Sequence, residues 1–393
     1  MERRVVVIGG GGTGIAVSYD LSRRGFLPIL CERGELTSGT TGRHHGQLHC
    51  GARYAMGDRR IAKECMHESS ILRAIAPQAI EYNGGLFVSV TEEDDGYTEQ
   101  FLDCCADSGI PAKKVPVLQV RELEPAVSPN IRSAVWVPDG TIDPWRLVLS
   151  FASGAALHGA DLRPYTEVLD IEVHSGAVTG VLVRNRLTGN DERIHTALVV
   201  NAGGAWAGKI AALAGIQLDM SPSPGTMAAV RGRATSMVIS RLHPAGDGDI
   251  IVPQRRLSII GSTQWLAEDP DRVRTRSEDI PYLTEAADMM VPSFSSLPFH
   301  AAWSASRPLF GAVGNERVRE LSRDFICINH GESGGNRVHG LVSIVGGKAT
   351  TLRGMGEAAA DSVCSIIGQH IPCSTADALL PGHRSYYSPG AKR

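Results

Sequence analysis

The sequence predicts an α/β fold in which a covered parallel sheet opens the chain and a second domain, with an antiparallel sheet, is inserted into it. Three observations support that class. A glycine-rich turn, Gly9-x-Gly11-x-x-Gly14, lies between a strand-like run and a helix-like run. Strand-and-glycine elements recur in the middle of the chain and near its end. Between them, roughly residues 80 to 140 and 216 to 320 carry mixed strand character. The simplest arrangement is a discontinuous domain of residues 1–80, 141–215 and 325–393, with residues 81–140 and 216–324 forming the inserted one.

From Arg4 to Leu36 the chain reads strand (VVVIG), glycine turn (GGGTG), helix (IAVSYDLSRRG) and strand (FLPILCER). Both strands are continuously apolar, as strands covered on two faces are. Thr37 to Gly57 is rich in Gly, Thr and His without periodicity, and a helix is expected from Arg59 to Ala76. Gly84–Val90 alternates as a strand does, and Thr98–Ser108 reads as a helix. Val168–Arg186 forms a hairpin pattern around Ser175-Gly176, and Ala197–Gly203 is a buried strand ending in glycines. Further strands are expected within Ile250–Thr263 and Phe325–Ile328. A last helix runs from about Ala349 to Gly368, opened by Gly346-Gly347-Lys348, and HRSYYSPGAKR follows as a loose tail.

The strand, turn and helix context gives the glycine motif chemical meaning. The first glycine permits the tight turn, the second lets backbone approach a pyrophosphate, and the third lets helix pack on strand. The helix N-terminus adds free N–H groups and a positive dipole. Glu32 ends the second strand 18 positions beyond Gly14, where a carboxylate accepts hydrogen bonds from an adenosine ribose. On these grounds alone the cofactor is a dinucleotide, FAD or NAD.

Composition excludes several classes. Lys and Arg total 39 and Asp and Glu 42, a formal net charge of −3, so binding of nucleic acid through phosphate electrostatics is not expected. No run of about 18 apolar residues exists to span a membrane. The start, Met1-Glu2-Arg3-Arg4-Val5, enters a strand without a signal-peptide pattern, so a cytoplasmic chain is expected, any membrane association being through a partner. The eight cysteines form no C-x-x-C pair and read as reduced thiols. His44-His45 has no further ligand at metal spacing nearby, so no metal site is expected.

Five stretches carry a resemblance: TSGTTGRHHGQLHCGARYAMGD (Thr37–Asp58), PDGTIDPWRL (Pro138–Leu147), VVNAGGAWA (Val199–Ala207), SRPL (Ser306–Leu309) and GGKATTLRGMGE (Gly346–Glu357). Together they resemble FAD-dependent glycerol-3-phosphate dehydrogenase, in particular the catalytic A subunit of the anaerobic bacterial enzyme, within the D-amino-acid-oxidase-like superfamily. The resemblance runs in order from about residue 5 to residue 382. It implies a glutathione-reductase-like, FAD-binding Rossmann domain with an inserted substrate domain, and noncovalent FAD.

By the resemblance, Ser38 to His45 lie along the cofactor, Thr41 and Arg43 among them, and Gly203, Gly346, Gly347 and Lys348 also approach it. Arg53, Tyr54, Arg307 and Lys348 match the family's contacts to phosphate and hydroxyl groups. A phosphate dianion needs fixed, forked or paired cations. Lys348 at a helix start is a cation where the dipole disfavours one, which an anionic ligand explains. Oxidising a secondary alcohol also needs a base for its hydroxyl proton; His49 is the first candidate and His45 the second, with an imidazole ionisation near neutrality.

The expected activity is therefore flavin-dependent oxidation of the secondary hydroxyl of sn-glycerol 3-phosphate to dihydroxyacetone phosphate, by hydride transfer. Two departures from the family point to a rival substrate, another anionic 2-hydroxy compound such as a hydroxyphosphonate: the chain stops at Arg393 without a cysteine-rich C-terminal region, and Trp303-Ser304-Ala305-Ser306 precedes Arg307 where the family usually has Tyr-Ser-Gly-Val. A non-catalytic, FAD-holding subunit is the reading from a different class; Arg53, Arg307 and Lys348 together speak against it. The sequence names no electron acceptor.

Overall fold

The computed structural model describes residues 3–311, 324–332 and 336–388. A six-stranded sheet runs in the order Phe325–Asn329, Leu341–Gly346, Val199–Asn201, Arg4–Ile8, Leu27–Cys31, Asp161–Arg163. Its pairings are parallel except for Phe325–Asn329 against Leu341–Gly346. The apolar run at the amino terminus fits this position because a strand directs successive side chains to opposite faces. Val5 and Val7 enter a core shared with the helices Gly12–Arg23, Pro144–Leu157 and Leu352–Ile366. Val6 and Ile8 enter a second core under the three-stranded sheet of Thr166–His174, Ala177–Asn185 and Asp191–His195. All four are buried, each contributing about 1.5–3 kcal/mol.

An eight-stranded mixed sheet stands beside it, in the order Phe299–Phe310, Met220–Arg231, Leu257–Gly261, Ile250–Gln254, Val238–Arg241, Gly85–Val88, Ala134–Val137, Lys113–Lys114. Its pairings are antiparallel apart from Val238–Arg241 with Gly85–Val88. The helix Asp279–Met290 covers it through Leu283, Ala287 and Met290. A small sheet of Gln47–Leu48, Gly140–Ile142 and Ile80–Glu81 completes the fold.

Three local expectations are corrected. The stretch 250–263 is a hairpin, turning at Arg255 with φ 54°. Ahead of the last helix, Ala349–Thr351 is a 3₁₀ turn and the α-helix begins only at Leu352. The tail is not loose over 383–388: His383–Tyr387 is a 3₁₀ helix whose Tyr386 is buried in the helix-side core, because that ring is apolar surface the core can cover. Among the described residues, five α-helices lie where none was expected, the long Pro144–Leu157 and Asp279–Met290 and the short Glu92–Gly96, Val117–Leu123 and Ala207–Ala212. All eight cysteines are free thiols, and among the described residues no helix is long and apolar enough to cross a membrane.

Candidate active site

The glycine turn is built by close approach. Gly9 has φ +113°, and a Cβ there would lie 2.6 Å from the Ala202 carbonyl oxygen; one at Gly14 would lie 1.9 Å from that of Gly9. Gly14 thus serves helix packing and does not line the cavity described below. Gly11 differs, since its added Cβ would meet only the Thr41 hydroxyl oxygen, at 3.0 Å. That oxygen also accepts the Gly12 N–H at 3.0 Å, tying the loop after the second strand to the helix start. Glu32 accepts from the N–H groups of Gly10 (2.7 Å) and Gly34 (2.8 Å). Each oxygen keeps a further lone pair for a ribose hydroxyl.

From this turn a single cavity of about 1630 Å³ extends to the eight-stranded sheet. It exceeds the usual pocket for a small ligand, which reaches about 1,000 Å³, and has room for an extended dinucleotide and a substrate. Gly9, Gly11, Glu32, Ser38, Thr41, Arg43, Gly203, Gly346 and Gly347 line it, as do His45, His49, Arg53, Tyr54, Arg307 and Lys348. The sequence-derived site residues other than Gly14 therefore share one space, although they come from six separate stretches of chain.

The loop Thr37–Asp58 carries the histidines past the cavity and ends at Asp58, whose carboxylate caps the helix Arg59–Ile75 by accepting from Arg60 and Ile61 N–H. His44 and His45 each use Nδ1 to accept a backbone N–H two residues on, from Gly46 at 2.9 Å and Gln47 at 3.2 Å. A neutral ring that accepts at Nδ1 carries its proton on Nε2, so His45 presents a donor to the cavity. The His49 ring has no hydrogen-bond partner among the described residues; only its backbone N–H is engaged, by Thr350 Oγ1 at 3.2 Å. It lies against Tyr54, with ring centroids 5.5 Å apart.

Burial lowers all three imidazoles, His44 to about 4 and His45 to about 3. His49 falls well below the ordinary histidine value, first through burial and then through His45, Arg53 and Lys348 nearby. The expected ionisation near neutrality is thus corrected: a protonated ring here would be a desolvated cation among cations, so the histidines are neutral at pH 7 in the free protein.

The three cations differ. Arg53 Nη2 donates to both oxygens of Asp249 (2.7 and 2.8 Å) and to Gly246 O (3.1 Å). Asp249, buried and also 3.2 Å from His243 Nε2, is held at about 2 against its own burial. Much of the Arg53 charge is therefore already balanced, and the pair pins the loop 243–249 to the cavity wall. Arg307 donates to neutral oxygens, those of Ser262 Oγ, Thr263 O (3.2 Å), Ser223 O (3.3 Å) and Pro224 O (3.4 Å). Lys348 Nζ stands 5.2 Å from the centre of the Tyr54 ring. Further along the chain, Arg353 bridges Glu68 and Glu357 and so locks the last helix onto Arg59–Ile75.

Sequence reasoning missed Asp249 and its loop, Ser262, Thr350 and the cavity wall made by Trp206, Lys209, Pro270, Asp271 and Val273. Asp249 pairs with a residue 196 positions away, which leaves no local signal.

A glycine turn at the carboxyl end of a parallel strand, an acceptor at the end of the next strand and a long cavity with cations at its far end define a dinucleotide-dependent oxidoreductase. The chain belongs to the family of FAD-dependent oxidoreductases: the DAO model, "FAD dependent oxidoreductase", matches residues 4–361. Its relatives include the A1 subunit of the anaerobic glycerol-3-phosphate dehydrogenase of Haloferax volcanii, 39% identical over 97% of this chain and 67% of that protein. The corresponding A subunit of the Escherichia coli K12 enzyme is 38% identical over 96% of this chain and 70% of its own length. In fold, the FAD-bound L-α-glycerophosphate oxidase of Mycoplasma pneumoniae superposes with a TM-score of 0.77 at 20% identity, covering 96% of this chain and 98% of that one. FAD is accordingly the cofactor, and the residues fit it: the turn excludes side chains where phosphates must approach, Glu32 keeps acceptor capacity, and the cavity is long enough.

Proposed function

We propose that the protein oxidises the secondary hydroxyl of sn-glycerol 3-phosphate to dihydroxyacetone phosphate. The observation that carries this reading is the continuity of one cavity from the dinucleotide turn to His49, Arg307 and Lys348, supported by the glycerol-3-phosphate dehydrogenase subunits among the relatives. FAD, bound noncovalently, supplies the two-electron acceptor for the hydride leaving the carbinol carbon. On the protein's side, His49 takes the hydroxyl proton on a ring nitrogen as the C–O bond becomes a carbonyl. His45, donating from Nε2, orients an oxygen of the substrate. Arg307 and Lys348 hold the phosphate, and Tyr54 fixes Lys348 through its ring face. The six-stranded sheet then serves the cofactor and the eight-stranded sheet, through Arg307, the substrate.

Ser304, Ala305 and Ser306 line the cavity beside Arg307, and this favours a second reading in which another anionic secondary alcohol, such as a hydroxyphosphonate, occupies the same place. Both readings require the anion contacts. Arg307→Ala and Lys348→Ala are each expected to weaken binding of sn-glycerol 3-phosphate by about 2 to 5 kcal/mol, the cost usual when one partner of a buried charge pair is removed. Titration of flavin absorbance with phosphorylated and phosphonylated alcohols checks this, and unchanged affinity in both variants removes the anion site.

A further inference from the structure

The connection between the strand Leu257–Gly261 and the helix Asp279–Met290 crosses from one sheet to the other. It leaves along the strand Met220–Arg231, where Trp265 N–H donates to Pro224 O (3.0 Å) and Ala267 N–H to Pro222 O (2.9 Å). It then turns through the 3₁₀ segment Pro270–Arg272, shaped by Asp269 accepting the Asp271 N–H at 2.9 Å. Here it meets three residues of the nucleotide-binding side. Asp271 Oδ1 accepts from Arg33 Nη2 at 2.6 Å and from Trp206 Nε1 at 2.7 Å, and Oδ2 accepts from Lys209 Nζ at 2.7 Å. Lys209 also reaches Asp269 at 2.7 Å, and the Arg33 guanidinium stacks 4.8 Å above the Trp206 ring. On its return the connection is held by Thr263 Oγ1 donating to Asp279 (2.7 Å) and by Arg276 over Trp265.

The place of this contact matters. Arg33 follows Glu32, and Trp206 and Lys209 follow the Asn201–Gly204 strand end, so the three donors come after the carboxyl ends of the two strands that flank Arg4–Ile8, where the adenosine half of a dinucleotide is received. Arg33, Trp206, Lys209, Pro270, Asp271 and Val273 all line the same cavity as Glu32. The side chains are accessible to water, with Arg33 40%, Asp271 37% and Lys209 51% exposed. A deeply buried clasp would be part of the core; this one sits at the rim of the cavity, where it can open.

We propose that Asp271 is the pin of a strap that closes over the adenosine end of the FAD site, so that release of Asp271 from Arg33, Trp206 and Lys209 gates cofactor exchange. The inference rests on FAD being the cofactor. Nothing in the chemistry of the flavin ring requires the strap; its role is retention, read in the rate at which bound FAD escapes.

The test uses holoprotein diluted into buffer, with release followed by the rise of free-flavin fluorescence. Asp271→Asn keeps shape and removes the charge, and is expected to speed release about ten-fold, the sum of several exposed polar contacts each of modest worth. Release from the parent protein accelerates between about 0.05 and 0.5 M salt as the ion pairs are screened, and this dependence is weaker in Asp271→Asn, where of these pairs only Lys209 with Asp269 remains. Lys209→Met alone speeds release about two- to three-fold, and adding it to Asp271→Asn multiplies the rate by less than that factor, because one of the two carboxylate contacts of Lys209 is already weakened there. Should Asp271→Asn not fold, Trp206→Phe, which keeps the ring and deletes one donor, and Lys209→Met carry the same comparison. Release within about two-fold of the parent, an unaltered salt dependence, or additive effects in the double variant overturns the strap. A parent protein that takes up no FAD at all contradicts the cofactor itself, a different failure.

Discussion

His49→Gln is expected to slow anaerobic reduction of the flavin by about 10²- to 10⁴-fold, the range usual for loss of one general base, with flavin content unchanged. The structure separates the two histidine candidates by their hydrogen bonds. His45 Nδ1 is occupied by the Gln47 N–H, which assigns its proton to Nε2 and makes it a donor. The His49 ring makes no hydrogen bond among the described residues, so a nitrogen lone pair is available. Because burial and the neighbouring cations hold His49 well below the ordinary histidine value, the base form is present throughout the neutral range. The rate constant for reduction by the free protein is therefore expected to be level from about pH 6 to 8 and to fall only toward acid, where protonation removes the base. The same change at His45 is expected to cost less, since glutamine can still donate. Rapid mixing of the two variants across pH checks the assignment; a parent rate in His49→Gln with a collapsed rate in His45→Gln moves the base to His45.

Gly11→Val is expected to give folded protein that purifies largely colourless. Of the three motif glycines it is the informative one. Side chains at Gly9 and Gly14 would strike backbone oxygens at 2.6 and 1.9 Å and disrupt the turn itself. At Gly11 the added Cβ meets only the Thr41 hydroxyl, and the branched remainder projects into the space a pyrophosphate must enter. Flavin absorbance per mole of protein, with circular dichroism to verify the fold, reads the outcome; normal flavin content relocates the cofactor.

Much of this site was legible because it is written locally. The glycine turn, Glu32, the histidine-rich loop and Gly346-Gly347 each announce themselves within a few residues, since a turn with positive φ or a strand end needs particular residue types there. The helix Pro144–Leu157 also had local signals, Asp143 capping Arg146 N–H and Pro144 in the first turn. Its middle is apolar on nearly every side, however, because Leu147 to Ala155 are buried all round, and a stretch of that kind shows little amphipathic period. Tyr386 looked like part of a tail since only tertiary contact with the helix core reveals its burial. Least legible were pairs joined across the chain: Arg53 with Asp249, and Arg33 with Asp271, 238 positions apart. The same applies to the histidine ionisations. Residue type placed them near neutrality, while the surrounding burial and cations decide otherwise.

The most direct test of the proposed activity is anaerobic mixing of the yellow holoprotein with sn-glycerol 3-phosphate, following flavin bleaching and product together. The expected result is complete bleaching with one dihydroxyacetone phosphate formed per flavin, and no bleaching by glycerol, which lacks the phosphate that Arg307 and Lys348 hold. A flavin that stays oxidised with sn-glycerol 3-phosphate, whether or not another alcohol reduces it, would contradict the assignment.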